Sequence, residues 1–181
     1  MDSLSAGLQL DLADPADPQI AALIQTHHES SRRHYDEADC HALDTDAVAE
    51  KGVAMYAAWL DGQAVAIGGF KALGNGEVEL KSMHTSKAAR GRGVAAALLA
   101  HLMDAARNAG HHTMRLEAGR ADDYAAPASA LYTRHGFTEC APFGDYVAGD
   151  ASIFMARALY AARITGYLFG ISPVDASASS G

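Results

Sequence analysis

Residues 53–108 narrow the possible folds more than any other part of the chain. Two apolar runs, "VAMYAAWL" and "QAVAIGGFKAL", flank Asp61-Gly62, a two-residue hairpin turn signal. A second turn, "GNG" at 74–76, leads into "EVELKSMHT" at 77–85, which alternates apolar and polar residues as a strand does. A third antiparallel strand therefore follows the hairpin. It runs into the glycine loop "RGRG", and a helix is expected from about Gly93 to Asn108, stopped by Gly110. The chain thus reaches its glycine loop from a meander, not from the first strand of a βαβ unit.

The flanking segments extend the pattern. "LQLDLA" at 8–13 reads as a short strand, and Pro18 suits the start of a helix running to about Tyr35. Ile20, Leu23, Ile24 and His27 share one face of that helix. A short helix is expected within 41–52, a strand at 113–119 and a helix at 124–136 with Pro127 in its first turn and Gly136 as its stop. "FTECAPF" and "SIFMARAL" read as a last hairpin. The expected order is β-α-α-β-β-β-α-β-α-β-β, in one domain over residues 1–160. The tail at 161–181 is rich in Ser, Ala and Gly, and its end is expected to be disordered.

Composition excludes several functions. The formal net charge of -8 argues against nucleic acid, which needs a basic face. No apolar run reaches the roughly 20 residues of a membrane helix. The N-terminus shows no basic-then-apolar signal pattern, so the chain reads as cytoplasmic. Cys40 and Cys140 have no metal-ligand spacing. His27, His28, His34 and His41 read as surface helix residues, so no metal is expected. The basic residues Lys81, Lys87, Arg90 and Arg92 gather around the glycine loop. A small basic spot on an acidic protein fits a small anionic ligand.

The loop has a physical use. A helix N-terminus exposes unpaired N–H groups and partial positive charge, and glycines let a phosphate approach them. A plain turn is the simpler reading of "GRG". A P-loop is excluded because its lysine is missing. "GRGVAA" does match a dinucleotide-binding fingerprint, but "SKAAR" separates the strand from the first glycine and the preceding strands form a meander.

"RGRGVA" resembles the acetyl-coenzyme A loop, R/Q-x-x-G-x-G/A, of the GNAT N-acetyltransferase superfamily at Arg90, Gly93 and Ala95. The later "AxxLYxxxGF" signature is met by Ala128, Leu131, Tyr132, Gly136 and Phe137. "HALD", "ELKSMHT" and "CAPFGDY" further resemble a bacterial subgroup labelled indole-acetate acetyltransferases. The resemblance implies an α/β (α+β) fold: a mixed, mainly antiparallel seven-stranded sheet with helices on both faces, splayed between strands 4 and 5. It implies acetyl-CoA as co-substrate, with pantetheine contacts at Met83, His84 and Thr85. The pyrophosphate would lie on the amides of Arg90, Gly91, Arg92, Gly93, Val94 and Ala95.

The same resemblance implies Glu79 as the base that deprotonates an amine, and Tyr132 as the acid that protonates the departing thiolate. The plain readings are an outward strand carboxylate and a packing tyrosine. His84 is a second candidate base, which strand alternation places on the face opposite Glu79. Ala125 stands where many family members carry an asparagine that binds pantetheine, and Ser129 is the nearby candidate to replace it.

Tyr146 and Phe143 are expected to line the acceptor pocket, Arg32 and Arg33 could face a substrate carboxylate, and Cys140 reads as a small core residue. The acceptor is expected to be an amine of a small molecule, amino acid or peptide. A homodimer is compatible with the sequence. The alternative function is a non-catalytic acyl-CoA-binding module on the same fold.

Overall fold

A computed structural model describes residues 7–34, 52–120 and 125–159, with side chains at 32–34 excepted. The helix expected within 41–52, Cys40, His41, the side chains of Arg32, Arg33 and His34, and the tail at 161–181 lie outside the described residues.

Seven strands form one sheet: β1 (Leu8–Leu12), β2 (Ala54–Leu60), β3 (Gln63–Gly74), β4 (Glu77–Thr85), β5 (Thr113–Gly119), β6 (Thr138–Glu139) and β7 (Ser152–Ala158). Their spatial order is β1-β2-β3-β4-β5-β7-β6, and β4–β5 is the parallel pair. Three helices are described: α1 (Pro18–His34), α2 (Val94–Asn108) and α3 (Ala126–Arg134). None is long and apolar enough to cross a membrane.

Local chemistry sets the boundaries. Asp61 and Gly62 both have positive φ, as do Asn75 and Gly76, the backbone that tight hairpin turns require. Asp17 Oδ1 accepts the amide hydrogens of Gln19 and Ile20 at 2.8 and 3.4 Å, capping α1 just before Pro18. Ile20, Leu23 and Ile24 of α1 then cover one sheet face with Met55, Ala57 and Ile67. On the other face, Leu98, Leu99 and Leu102 of α2 join Val78, Leu80, Met114, Leu116 and Tyr132 in the larger core.

Two features of β4 position the site. First, β4 and β5 pair only at Glu77↔Thr113, Val78↔Met114 and Glu79↔Arg115. Beyond Glu79 the two strands part, and β5 continues against β7 alone among the described strands. A parallel pair joined through α2 has no hairpin to hold its far end closed. Second, β4 carries a bulge. Its register against β3 slips between Lys81↔Gly69 and His84↔Ile67, so Ser82 and Met83 together oppose Gly68. Ser82 has φ +56, an uncommon value for a residue with a side chain. The bulge puts Met83 over Gly68, where a Cβ would lie 2.5 Å from the Met83 Sδ. Gly68 is the residue that admits this packing.

Candidate active site

The bulge corrects one expectation. Simple alternation sets His84 against Glu79, but the extra residue restarts the alternation. His84 pairs with Ile67, and Glu79 with Lys71, on the face that α1 covers. His84 is buried there, its ring 5.6 Å from that of His27. His27 in turn meets His28 edge-on at 6.3 Å. These α1 histidines are not the surface residues that the sequence indicates, since His28 is itself buried. Burial, with the His84 and His28 rings close by, lowers the His27 pKa to about 3. Burial and the Arg90 cation lower that of His84 to about 4. Both rings are neutral at neutral pH.

Glu79 is not an outward strand residue: it is 3% exposed. Its Oε1 accepts from Lys81 Nζ at 2.9 Å and from the Tyr146 hydroxyl at 2.5 Å. Lys81 therefore belongs to this carboxylate and not to the glycine loop. The i, i+2 spacing of Glu79 and Lys81 on one strand already contained that signal. Tyr146 arrives from far along the chain, in the segment between β6 and β7, and no local pattern reveals the contact. Its ring also receives Lys81 at 5.7 Å and packs near Phe143 and Phe154. Burial, then the bond to Glu79, raises the Tyr146 phenol pKa well above its usual value.

A brace lies at the closed end of the splay. Arg115 of β5 donates from Nε and Nη2 to the two oxygens of Glu77, both at 2.9 Å. This bidentate geometry ties the last paired residues of β4 and β5. The hydrogen bond from Arg115 lowers the Glu77 pKa. Arg115 Nη1 also reaches Cys140 Sγ at 3.7 Å, so Cys140 is a partly exposed neighbour of the brace and not a core residue.

The glycine loop lies at the open end. Ser86 N–H donates to Val65 O at 2.8 Å, and a short turn at Lys87–Ala89 follows, with Ala89 buried beneath it. Arg90 Nε donates to Thr85 O at 3.1 Å, which folds Arg90 back onto the end of β4. Gly91 and Gly93 have φ +72 and +82. Gly93 is the N-cap of α2, and no described side chain caps that helix. Arg90, Gly91, Arg92 and Gly93 are exposed, whereas the Val94 side chain is buried and anchors the helix start. The first-turn amides of α2 are thus left to solvent or an anion.

Tyr132 faces the larger core from α3 at 7% exposure. Its signature "LYxxxGF" has a mechanical reading. Gly136, at φ +77, donates to Thr133 O at 3.0 Å, and Phe137 N–H donates to Tyr132 O at 3.1 Å. That pair of bonds is a Schellman stop, with its hydrophobic contact made by the Tyr132 and Phe137 rings at 5.8 Å. The motif therefore fixes the tyrosine that it contains. Burial, with the Glu117 carboxylate nearby, raises the Tyr132 phenol pKa well above its usual value and keeps it protonated.

The implied acetyl-CoA fits these parts. The bared edge of β4 past Glu79, including Met83, His84 and Thr85, offers backbone groups to the amides of a pantetheine arm. The uncapped start of α2 offers amides to a pyrophosphate. Among the described residues, the Ser82 and Ser129 hydroxyl oxygens are buried without a hydrogen-bond partner.

Comparison with known proteins agrees. Residues 19–137 match the acetyltransferase (GNAT) family. The uncharacterized N-acetyltransferase YedL of Escherichia coli (strain K12) is 32% identical over 81% of this chain and 91% of its own. An IAA acetyltransferase of Azospirillum brasilense is 33% identical over 66% of this chain and 76% of its own. A Salmonella typhimurium protein, YncA, solved with its cofactor acetyl-CoA, superposes with a TM-score of 0.63 at 22% identity, covering 85% of this chain and 95% of its own. The splayed sheet, the glycine loop and the matched length together make this chain a member of the GNAT acetyltransferase family.

Proposed function

We propose that the protein transfers the acetyl group of acetyl-CoA directly to an amine of a small molecule, amino acid or peptide, with Glu79 as the base and Tyr132 as the acid. The observation that carries this reading is the buried, doubly anchored Glu79 carboxylate beside the point where β4 leaves β5. Residues 1–160 constitute the catalytic domain in this reading, and the protein works in the cytoplasm.

Acetyl-CoA supplies an acyl group activated as a thioester. Met83, His84 and Thr85 hold its pantetheine along β4, and Arg90, Gly91, Arg92, Gly93, Val94 and Ala95 hold its pyrophosphate at α2. A backbone N–H near Met83 to Thr85 polarises the carbonyl. An alkylamine is mostly protonated at neutral pH, so one proton must leave its nitrogen before the C–N bond forms. Glu79 takes that proton, through water where the acceptor is short. Lys81 and Tyr146 hold Glu79 in one orientation while this occurs. As the C–S bond breaks, Tyr132 gives its proton to sulfur and recovers one from the new amide nitrogen. Burial raises the Tyr132 pKa, but the same dry site raises the basicity of the departing sulfur, so the transfer stays near balance.

Calorimetric titration with acetyl-CoA, NAD and NADP, followed by thiol-release assays over a panel of amines, tests the reading. Micromolar binding of acetyl-CoA alone and amine-dependent release support it. Intact turnover in Glu79→Gln sinks the assignment of the base. Cofactor binding without turnover on any amine favours the non-catalytic module, which Ala125 in place of the usual asparagine keeps in view.

A further inference from the structure

β1 (Leu8–Leu12) is an edge of the sheet: among the described strands it pairs with β2 alone. Just past it, Ala13 N–H donates to Met55 O at 2.9 Å, so the backbone groups of Ala13 face inward. Backbone direction alternates along a strand, and the N–H and C=O of one residue point the same way. Gln9 and Asp11 therefore also bond toward β2. Leu8, Leu10 and Leu12 turn their N–H and C=O groups to the outer edge.

The same three residues carry apolar side chains on one face. Leu8 and Leu10 are half-buried against the larger core, on the side that α2 covers, whereas Leu12 is 70% exposed. α2 packs on β2, β3 and β4, so the leucine row lies along the rim of that core. Leu12 and Val147 are the large apolar side chains left exposed among the described residues. Gln9 and Asp11 are exposed on the opposite face. Edge strands that avoid association often carry lysine, proline or a bulge, and β1 has none of these.

We propose that β1 is a self-pairing edge, through which two copies of this chain join antiparallel into one continuous sheet. The segment LQLDL is symmetric in apolar and polar positions about Leu10. With the two-fold axis there, Leu10 meets the second copy's Leu10, and Leu8 meets its Leu12. Each such pair exchanges both backbone bonds. Leu12 is covered by Leu8 across the axis, and the leucine row becomes continuous. Gln9 stands opposite the second copy's Asp11, an amide against a carboxylate. The neighbouring registers lose one of these features. A shift toward the C-terminus sets Asp11 against Asp11, a like-charge contact. A shift toward the N-terminus leaves Leu12 with no opposite leucine. Charge and apolar cover thus select the same register. The splay between β4 and β5 lies away from this edge, so both sites stay open.

The test uses the full chain, with sedimentation equilibrium from about 1 µM to about 1 mM. A short strand pair buries less than the roughly 1,200–2,000 Å² of a stable interface, so the dimer dissociates at the dilute end. Leu12→Lys weakens the dimer about tenfold or more, and the melting point of dilute protein stays unchanged because Leu12 is already exposed there. Gln9→Lys faces the second copy's Asp11 twice by symmetry and tightens the dimer about threefold or more, whereas Gln9→Glu weakens it by a similar factor. Amide exchange gives a second readout: Leu8, Leu10 and Leu12 slow as concentration rises, and Gln9 and Asp11 do not. A monomer at every concentration overturns the proposal. So does a dimer that none of these substitutions shifts, which would lie on another surface, or one that both Gln9 variants shift in the same direction. Slow exchange at Leu8, Leu10 and Leu12 in the dilute monomer also overturns it, since another part of the chain would then hold the edge.

Discussion

Mild acid should weaken this fold through two buried imidazoles. His27 and His84 face each other between α1 and β4 and are held neutral, with pKa values lowered from 6.5 to about 3 and about 4. In the unfolded chain both recover the ordinary value. A base whose folded pKa is depressed leaves stability intact above the unfolded pKa and withdraws it as pH falls toward the folded one. The window is therefore about pH 6.5 down to about pH 4. At about pH 5 each unfolded imidazole is almost fully protonated and each folded one is not, a cost of about 2 kcal/mol per ring. The pair sums to about 4 kcal/mol, a large share of the 5–15 kcal/mol typical of a domain. The hydrogen bond from Arg115 lowers the Glu77 pKa, so what that carboxylate contributes is withdrawn only as pH falls through and below the ordinary carboxylate range. Urea unfolding at pH 7 and pH 5 measures the loss. His27→Gln with His84→Gln replaces both rings by neutral amides and should flatten the dependence. A parent equally stable at both pH values, or a double variant that keeps the full slope, would refute the reasoning.

Other consequences can be checked in parallel. Glu77→Gln leaves the Arg115 brace half made. It should cost about 1 kcal/mol at neutral pH, allowing for the partial exposure of both groups, and nothing once pH falls below the depressed Glu77 value; urea melts at neutral and acid pH give the comparison. Gly69→Ala places a Cβ 2.7 Å from Ala54 O, a backbone atom that cannot yield, and should destabilise by about 2–3 kcal/mol in thermal melts. Gly68→Ala should cost less, because its near neighbours are the flexible ends of Met83 and Leu102. Tyr146→Phe removes one of two donors to Glu79 Oε1 and should lower kcat about tenfold while acetyl-CoA affinity stays unchanged, read by thiol release and calorimetry.

Much of this architecture is legible in the chain because it is written in local signals. Asp61-Gly62 and Asn75-Gly76 fix the meander through φ alone. The alternation of 77–85 and the apolar period of α2 locate β4 and its helix to within a residue or so. Gly136 and Phe137 mark the helix stop that holds Tyr132. The seven-stranded sheet with its splay follows from the resemblance and is what the fold contains.

What escapes the sequence is long-range. Nothing near Ser82 announces a bulge, since its cause is the fit of Met83 over Gly68 on another strand. Alternation read without that bulge puts His84 on the wrong face. The charge of Lys81 looks like part of the loop's basic spot until Glu79 is seen to be buried beside it. The Tyr146 bond to Glu79 joins residues far apart in the chain, and only the closed sheet brings them together.

The account turns on amine-dependent acetyl transfer without a covalent enzyme intermediate. The most direct measurement incubates the protein with acetyl-CoA and the amine panel, then follows free thiol and the mass of both the amine and the protein. The account predicts thiol release only with an acceptor, an acetylated amine, an unmodified protein, and loss of all release in Glu79→Gln. Acetyl-CoA left intact with every amine, or an acetylated protein that forms before the amine is added, would contradict it.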